Sequence, residues 1–260
     1  MQTPKILYED DNLIVCYKPA GVATQTKRLG QQDMESILKN YVASGLQKQG
    51  KNAAPYIGIV HRLDQPVEGV MVYAKNPKAA AALSKQVQER SIGKNYYALV
   101  QLPEGKTFTE TTGLASEGTR EDFMTFDRRT NVSKIVSKGT KDAKKAVLDY
   151  KLIAEKEGRA LLDITLHTGR HHQIRLQMAG MGTPIIGDRK YGRSDATQLG
   201  LCSYRIAFVS PTDGQNHVYK IQPENAEISA LLKLQKKCFL RSRTCNETCE
   251  TAGVTGESSA

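Results

Sequence analysis

The segment HRLDQPVEG, residues 61–69, lies between two short apolar runs, 56–60 and 70–74, whose composition predicts buried strands. Polar loops that leave a rigid sheet commonly carry functional side chains. In this loop Asp64 follows Arg62 by two residues. The motif alone leaves two interpretations open, a functional carboxylate or a turn-forming Asp with a surface ion pair, and taken by itself it favours the second.

A second polar segment, TGRHHQIR at residues 168–175, follows a run of alternating apolar residues. The pattern predicts a strand, a turn at Gly169 and then a short helix. Arg170 falls at the turn and Arg175 one helical turn later, so the two guanidinium groups can serve different partners. One could meet an RNA phosphate and the other a buried carboxylate. Taken alone, the segment is better explained by basic residues on a solvated helix face.

Taken together and in order, these segments resemble the RluA-like family of pseudouridine synthases. The resemblance covers about residues 6 to 222, and the order and separation of its motifs make it specific. The matching segments are residues 8–23 (YEDDNLIVCYKPAGVA), HRLD at 61–64 with Gly69, 94–100 (KNYYALV), 168–175, 182–192 (GTPIIGDRKYG) and 201–208 (LCSYRIAF).

The resemblance implies a role for each matching residue. Asp64 matches the catalytic aspartate, Arg175 the arginine that pairs with it, and Tyr96 the tyrosine that stacks on the target base. Arg62 resembles a residue that enters the RNA where the flipped nucleotide leaves. The side chains expected to contact RNA are His61, Arg62, Arg170, His172 and Gln173.

Four positions depart from the family pattern. Val67 and Glu68 stand where the family usually has Thr and Ser, so Glu68 is expected to place a negative charge near the cleft. His171 replaces a small hydroxyl residue, and Gln177 stands where His is frequent. The expected activity is kept, because Asp, Tyr and the second Arg are all present.

The implied reaction needs no cofactor. Pseudouridylation breaks the bond from a ring nitrogen to ribose and re-forms it at a ring carbon, without consuming water or transferring electrons. One carboxylate can act as a nucleophile at the sugar or as a base that generates a glycal, and the sequence leaves both routes open. Burial would tend to neutralise an Asp, whereas a neighbouring guanidinium holds it ionised.

Charge composition favours a polyanionic partner. The 260-residue chain has 37 Lys and Arg against 27 Asp and Glu, a formal charge of +10. Such an excess draws a protein toward RNA, here ribosomal or transfer RNA, although solubility alone would also explain it. No apolar stretch approaches the roughly 20 residues of a membrane span. The five cysteines are odd in number and irregularly spaced, which favours a reducing, cytoplasmic setting.

A metal site is not expected. His61, His167, His171 and His172 are the candidate ligands, but Gly169 interrupts their spacing and no acidic or Cys cluster joins them.

Strand candidates outnumber helix candidates, and several follow one another as hairpins. The pattern therefore predicts the α+β class. The family fold would be a mixed, largely antiparallel sheet in two lobes flanked by helices, with a central basic cleft. We expect a catalytic domain over residues 1–235, a basic and then polar tail over 236–260, no RNA-binding extension before the domain, and a monomer.

Two other functions fit parts of the sequence. One is an RNA-binding protein that has lost catalysis, suggested by the Val67 and Glu68 pair and the basic charge. The other is a glycosidase with paired carboxylates, suggested by Asp64 and Glu68. The basic excess and the few aromatic residues make a sugar cleft the weaker choice.

Overall fold

The computed structural model describes residues 3–26, 30–50, 53–192 and 198–235. Over these ranges the chain forms one mixed sheet with helices against its faces. The strands are β1 (Lys5–Glu9), β2 (Leu13–Lys18), β3 (Gly58–Ile59), β4 (Glu68–Ala74), β5 (Gly93–Gln101), β6 (Glu117–Asp127), β7 (Val132–Val136), β8 (Lys144–Lys156), β9 (Arg159–Leu166), β10 (Leu201–Val209) and β11 (Asn216–Lys220). The helices are α1 (Met34–Lys48), α2 (Pro77–Gln88), α3 (Phe108–Thr112) and α4 (Gln173–Gly180), and residues 226–235 are also helical.

The strand order is β1-β2-β4-β10-β5-β9-β8-β6-β7, with β3 on β4 and β11 on β10. Among the described strands, β4 and β10 form the parallel pair and all other pairs are antiparallel. Strand β10 therefore joins the N-terminal strands to the β5–β9 half. The predicted α+β class with a mixed, largely antiparallel sheet is confirmed.

Several predicted elements are present with adjusted bounds. The hairpin around Asp10 is β1 and β2, and helix α2 begins at Pro77 behind the Asn76 cap, as the sequence predicts. The strand predicted over 56–60 is only the two residues of β3. The polar and basic sequence of residues 102–145 is compatible with either a β-rich lobe or a mobile region. In the structure this segment contains β6, β7 and the start of β8.

Helix α1 was not predicted. Asp33 caps it by accepting a hydrogen bond from the backbone N–H of Ser36, whose side chain accepts one from the backbone of Asp33. This capping box was the available signal. Only the first turns bury apolar side chains, those of Met34, Ile37 and Leu38, so the helical periodicity is weak over the remainder.

Strands β2 and β4 are buried along their whole length. Alternate side chains enter two apolar clusters on opposite faces of the sheet, as Ile14 and Leu13 do in β2. Helix α1 contributes to one cluster and α2 to the other. A sheet covered on both faces needs apolar runs instead of alternation, and this covering fixes the start of β4, which follows the Asp64 loop.

Gly69 lies in the short parallel pairing between β4 and β10, opposite Ser203. Its φ is +154°, and a Cβ at this position would lie 2.4 Å from the Ser203 Cβ and 2.6 Å from the Ser203 carbonyl oxygen. The strands would have to separate to accept it. We expect Gly69→Ala to lower the free energy of unfolding, measured by urea denaturation, by about 3 kcal/mol.

The matched control is Gly45→Ala in α1. A Cβ at Gly45 has nothing within 4 Å, and Ala is the better helix former by up to about 1 kcal/mol. This variant should be at least as stable as the wild type. Equal stability of the two variants would contradict the close approach of Gly69 to Ser203.

Cys16 and Cys202 are buried free thiols, as expected of small apolar side chains in strands. None of the helices within the described ranges is long and apolar enough to cross a bilayer. The tail expected over 236–260 lies outside the described residues.

Candidate active site

The loop that carries Asp64 is fastened to the segment after β2. The Thr24 hydroxyl donates to the Leu63 carbonyl at 3.0 Å, and the Leu63 N–H donates back to that hydroxyl at 3.2 Å. The Gly21 N–H donates to the Gln65 carbonyl at 2.9 Å. Asp64 is therefore held between two anchored neighbours, with its side chain 30% exposed.

Lys18, at the end of β2, holds the same loop by a hydrogen bond to the Gln65 carbonyl. Its side chain is fully buried, and Nζ donates to the carbonyls of Pro19, Val22 and Gln65 at 3.0, 2.6 and 3.1 Å. Burial lowers the pKa of Lys18 to about 7, and the negative charges of Asp64 and Glu68 oppose this shift. Lys18 thus links the strand end to the Asp64 loop, a role not predicted from its place in the YKPAG segment.

Arg175, in α4, contacts two carboxylates. Nε and Nη2 donate to the two oxygens of Asp188 at 2.8 and 2.7 Å, and Nη1 donates to the Asp64 Oδ2 at 3.2 Å. Burial lowers the pKa of Arg175, but the bonds to Asp188 and the charge of Asp64 outweigh it, so the pKa is raised overall. The predicted Asp64–Arg175 contact is therefore present, across 111 residues of sequence.

Asp188 is the stronger partner of this arginine, and its role was not predicted. Its side chain is fully buried and also accepts the backbone N–H groups of Lys190 and Tyr191 at 2.9 and 3.1 Å. Burial raises the pKa of Asp188, while the bond from Arg175 is the largest of the effects that together hold it below its usual value. Asp188 orients the guanidinium and leaves Nη1 for Asp64.

His172 contacts Asp64 from the other side. It precedes α4 with a left-handed φ of +53°, so the helix begins at Gln173. Its side chain makes no capping hydrogen bond. Its Nε2 lies 3.4 Å from the Asp64 Oδ2, and its Nδ1 lies 3.0 Å from the Tyr191 hydroxyl. A left-handed residue at a helix start is unfavourable by about 1–3 kcal/mol and is typical of functional sites. Here the conformation directs the imidazole toward Asp64.

The His172 ring should be neutral at pH 7. Burial lowers its pKa to about 4, with Asp64 opposing the shift, against about 6.5 in an unfolded chain. The unfolded state binds the proton first as pH falls, so stability should decrease between pH 6.5 and pH 4. Over this window we expect the wild type to lose on the order of 1 to 3 kcal/mol more than His172→Asn.

Urea denaturation at several pH values measures that difference. Asn tolerates a left-handed backbone, so the substitution keeps the turn. Parallel pH profiles for the two proteins would show that the imidazole is not buried as a neutral ring.

Tyr96 and Tyr97 lie on opposite faces of β5. Tyr96 belongs to the apolar cluster on the Asp64 side and is 6% exposed. Burial raises the pKa of Tyr96, a hydrogen bond with Ser203 opposes the rise, and the charge of Asp64 adds to it. Tyr97 stacks on Tyr204, with ring centroids 3.9 Å apart. Ser203 pairs with Gly69 on one side and with Tyr96 on the other. The sheet register thus places the tyrosine that the resemblance selects beside the Asp64 loop.

Arg62 and His61 differ in what their side chains contact. Arg62 is exposed at the site. The half-buried His61 accepts the backbone N–H of Val72 at Nε2, 3.1 Å away. Burial lowers the pKa of His61 to about 3, and the charge of Lys94 adds to the shift. This imidazole joins the loop to β4 through that nitrogen.

Arg170 and Gln173 brace the turn before α4. The Gln173 amide oxygen accepts from the Thr168 hydroxyl and the Arg170 N–H at 2.8 and 3.0 Å, and its amide nitrogen donates to the Val147 carbonyl at 3.2 Å. Arg170 Nε donates to the Lys145 carbonyl at 2.9 Å. Both polar atoms of the buried Gln173 side chain have partners within the protein, which differs from the RNA contact that the sequence predicts for it.

Glu68, whose charge is expected near the cleft, is bound within the protein. Its side chain is almost fully buried and accepts from the Tyr17 hydroxyl at 2.7 Å and from the backbone N–H groups of Glu224 and Asn225 at 3.2 and 3.1 Å. Residue 68 already belongs to β4, so its side chain follows the strand and not the loop.

The described ranges also contain no group of three His, Cys, Asp or Glu residues placed to hold a metal ion.

Comparison with known proteins decides the family. The family model described as RNA pseudouridylate synthase matches residues 12–180. The chain belongs to this family. The resemblance found in the sequence is thereby confirmed, and the matched range contains Asp64, Tyr96 and Arg175.

Among curated relatives, the chain is 35% identical over 189 residues to the "Uncharacterized RNA pseudouridine synthase YhcT" of Bacillus subtilis, covering 72% of this chain and 57% of that protein. It is 34% identical to ribosomal large subunit pseudouridine synthase D of Xylella fastidiosa, covering 73% of this chain and 52% of that protein. The match thus spans little more than half the length of these relatives.

A solved structure, human RNA pseudouridylate synthase domain containing 4, superposes with a TM-score of 0.66 at 21% identity. The superposition covers 88% of this chain and 93% of that one. This similarity confirms the predicted pseudouridine synthase fold.

Proposed function

We propose that this protein isomerises uridine to pseudouridine in RNA, with Asp64 as the carboxylate that acts on the target nucleotide. One observation carries the proposal: Asp64 receives Nη1 of a buried, doubly anchored arginine while its side chain stays 30% exposed. A carboxylate held in this way is oriented and reachable. The family gives this chemistry its substrate class.

The reaction balances without any added reagent. The bond between N1 of uracil and C1′ of ribose breaks, the base turns, and C5 bonds to C1′. The hydrogen on C5 leaves as a proton, and N1 gains one. Asp64 has two routes, attack on C1′ or removal of the C2′ proton to give a glycal, and both need its charged form.

The neighbouring residues have the remaining roles in binding and orienting the nucleotide. Arg175 orients Asp64 through its Nη1 hydrogen bond of 3.2 Å. Tyr96 offers a flat face to the extruded base. Extrusion of a nucleotide costs a few kcal/mol, and the exposed Arg62 would offset part of that cost by entering the gap. His61, Arg170, His172 and Gln173 are kept as proposed RNA-side residues, acting chiefly by shaping the loops.

Ribosomal RNA is the favoured substrate, because relatives such as the Xylella fastidiosa protein are named for the ribosomal large subunit. Transfer RNA stays the second option. We further propose that the protein acts in the cytoplasm as a monomer without a cofactor, and that residues 1–235 form its catalytic domain. The basic charge still motivates an RNA binder without activity, whereas the buried Glu68 carboxylate, bonded to Tyr17, gives that alternative little support.

Comparison of pseudouridine maps of cellular RNA with and without the gene tests this proposal. We expect one or a few uridines to lose modification when the gene is removed, and to regain it when the wild-type gene is returned. Identical maps, together with no pseudouridine formed by the purified protein on the same RNA, would contradict the activity.

A further inference from the structure

Strand β6 exposes an aromatic ring where a buried one is expected. Its alternate residues Asp122 and Met124 are buried on the inward face, and Phe126 continues the same register. Phe126 is nevertheless 44% exposed. It lies just before the turn to β7, beyond the edge of the core, so one face of the ring is left for another partner.

The covered face of Phe126 begins a column of three rings. Phe126 packs on His171 with centroids 4.0 Å apart, and His171 packs on His172 at 3.7 Å. The Ser133 hydroxyl fixes His171 through its Nδ1 and its carbonyl oxygen, both at 2.9 Å. The column ends at His172 Nε2, 3.4 Å from the Asp64 Oδ2. The three rings, tilted by 35° and 30° from one to the next, therefore form a braced column from the exposed Phe126 to the Asp64 loop.

Cationic groups surround this column. Arg128 and Arg129 are exposed in the turn that follows Phe126. Lys190 holds that turn by donating to the Asn131 carbonyl at 2.7 Å. The acid of the turn, Asp127, accepts the backbone N–H groups of residues 129 and 130.

His171 itself adds no charge at neutral pH. Burial lowers its pKa, Asp64 opposes this, and Lys190, Arg175 and Arg62 strengthen the shift. A neutral, flat imidazole is therefore available for stacking behind Phe126.

We propose that Phe126, backed by His171, is a stacking platform for an unpaired RNA base that neighbours the nucleotide at Asp64. An exposed aromatic ring beside cationic side chains is the usual arrangement for binding single-stranded RNA, because every base has a flat face and every nucleotide a phosphate. The platform rests on the proposed function for its substrate class. It adds a second base subsite at the opposite end of the three-ring column from His172.

Binding of a fluorescent 12-nucleotide uridine oligomer, followed by anisotropy, tests the platform. We expect Phe126→Ala and Phe126→Leu to raise the Kd about 10-fold, since neither side chain can stack. Phe126→Trp should bind as tightly as the wild type or more tightly. Urea denaturation of each variant checks that the hairpin still folds, as the exposure of Phe126 predicts.

The matched control is Tyr56→Ala, which removes another exposed aromatic side chain, one that is 40% exposed near β3. Its Kd should equal that of the wild type. Three results would overturn the platform: wild-type affinity in Phe126→Ala, full affinity in Phe126→Leu, which would indicate bulk packing, or no oligomer binding by the wild type.

Failure of the platform is distinguishable from failure of the proposed function. Pseudouridine formed by the wild type, with equal binding by all Phe126 variants, would remove the platform alone. Binding that depends on Phe126 without any pseudouridine formed would remove the activity alone.

Discussion

Asp64→Asn should lower the rate of pseudouridine formation by about 10³-fold or more, with little change in RNA affinity. The amide keeps the shape of the carboxylate and an oxygen to accept the Arg175 Nη1 bond of 3.2 Å. It cannot attack C1′ or accept a proton from C2′. Tritium release from RNA that carries [5-³H]uridine measures the rate, because the C5 hydrogen is lost when the new bond forms.

The control is Asp11→Asn, which removes the same charge from an exposed position in the β1–β2 turn. It should release tritium at the wild-type rate. Substantial release by Asp64→Asn would refute the role of the carboxylate, and loss of RNA binding by that variant would instead make it a docking residue.

Asp188→Ala should be the most destabilising change at the site, by about 3–5 kcal/mol. It leaves the buried Arg175 with the single 3.2 Å bond to Asp64 and removes the acceptor for the N–H groups of Lys190 and Tyr191. An uncompensated charge in a buried position is costly. Urea denaturation gives the stability, and tritium release should fall because the guanidinium loses its orientation.

The double variant Arg175→Met with Asp188→Asn separates the ion pair from general disruption. Removing both charges leaves no buried ion without a partner, so its loss of stability should be smaller than the sum for Arg175→Met and Asp188→Asn, by at least about 1 kcal/mol. Strictly additive losses would show that the two side chains are not coupled.

The sequence predicted what depends on residue order and local pattern. The β1–β2 hairpin and α2 follow from turn and capping residues, and α2 begins at the predicted Pro77. The meeting of Asp64 and Arg175, 111 residues apart, was predicted only through the family resemblance, because no periodicity encodes such a contact. The same holds for the choice of Tyr96 over Tyr97.

The unpredicted features depend on burial and partners, which a sequence does not display. Asp188 lies in the quoted GDRKYG segment, yet only the folded chain shows that it takes two of the arginine's nitrogens. Lys18 is the last residue of β2, yet its side chain is fully buried against three carbonyls. Glu68 looked like a loop charge, but its backbone pairing in β4 carries it away from the cleft.

A crystal structure of the Asp64→Asn protein bound to the RNA identified by the pseudouridine maps tests the central claim most directly. The account predicts one uridine out of its stack and resting on Tyr96. Its C1′ or C2′ should lie about 3.5 Å from the side chain at position 64. A target uridine that stays stacked in the RNA, or that binds away from the Arg175 and Asp188 pair, would contradict it.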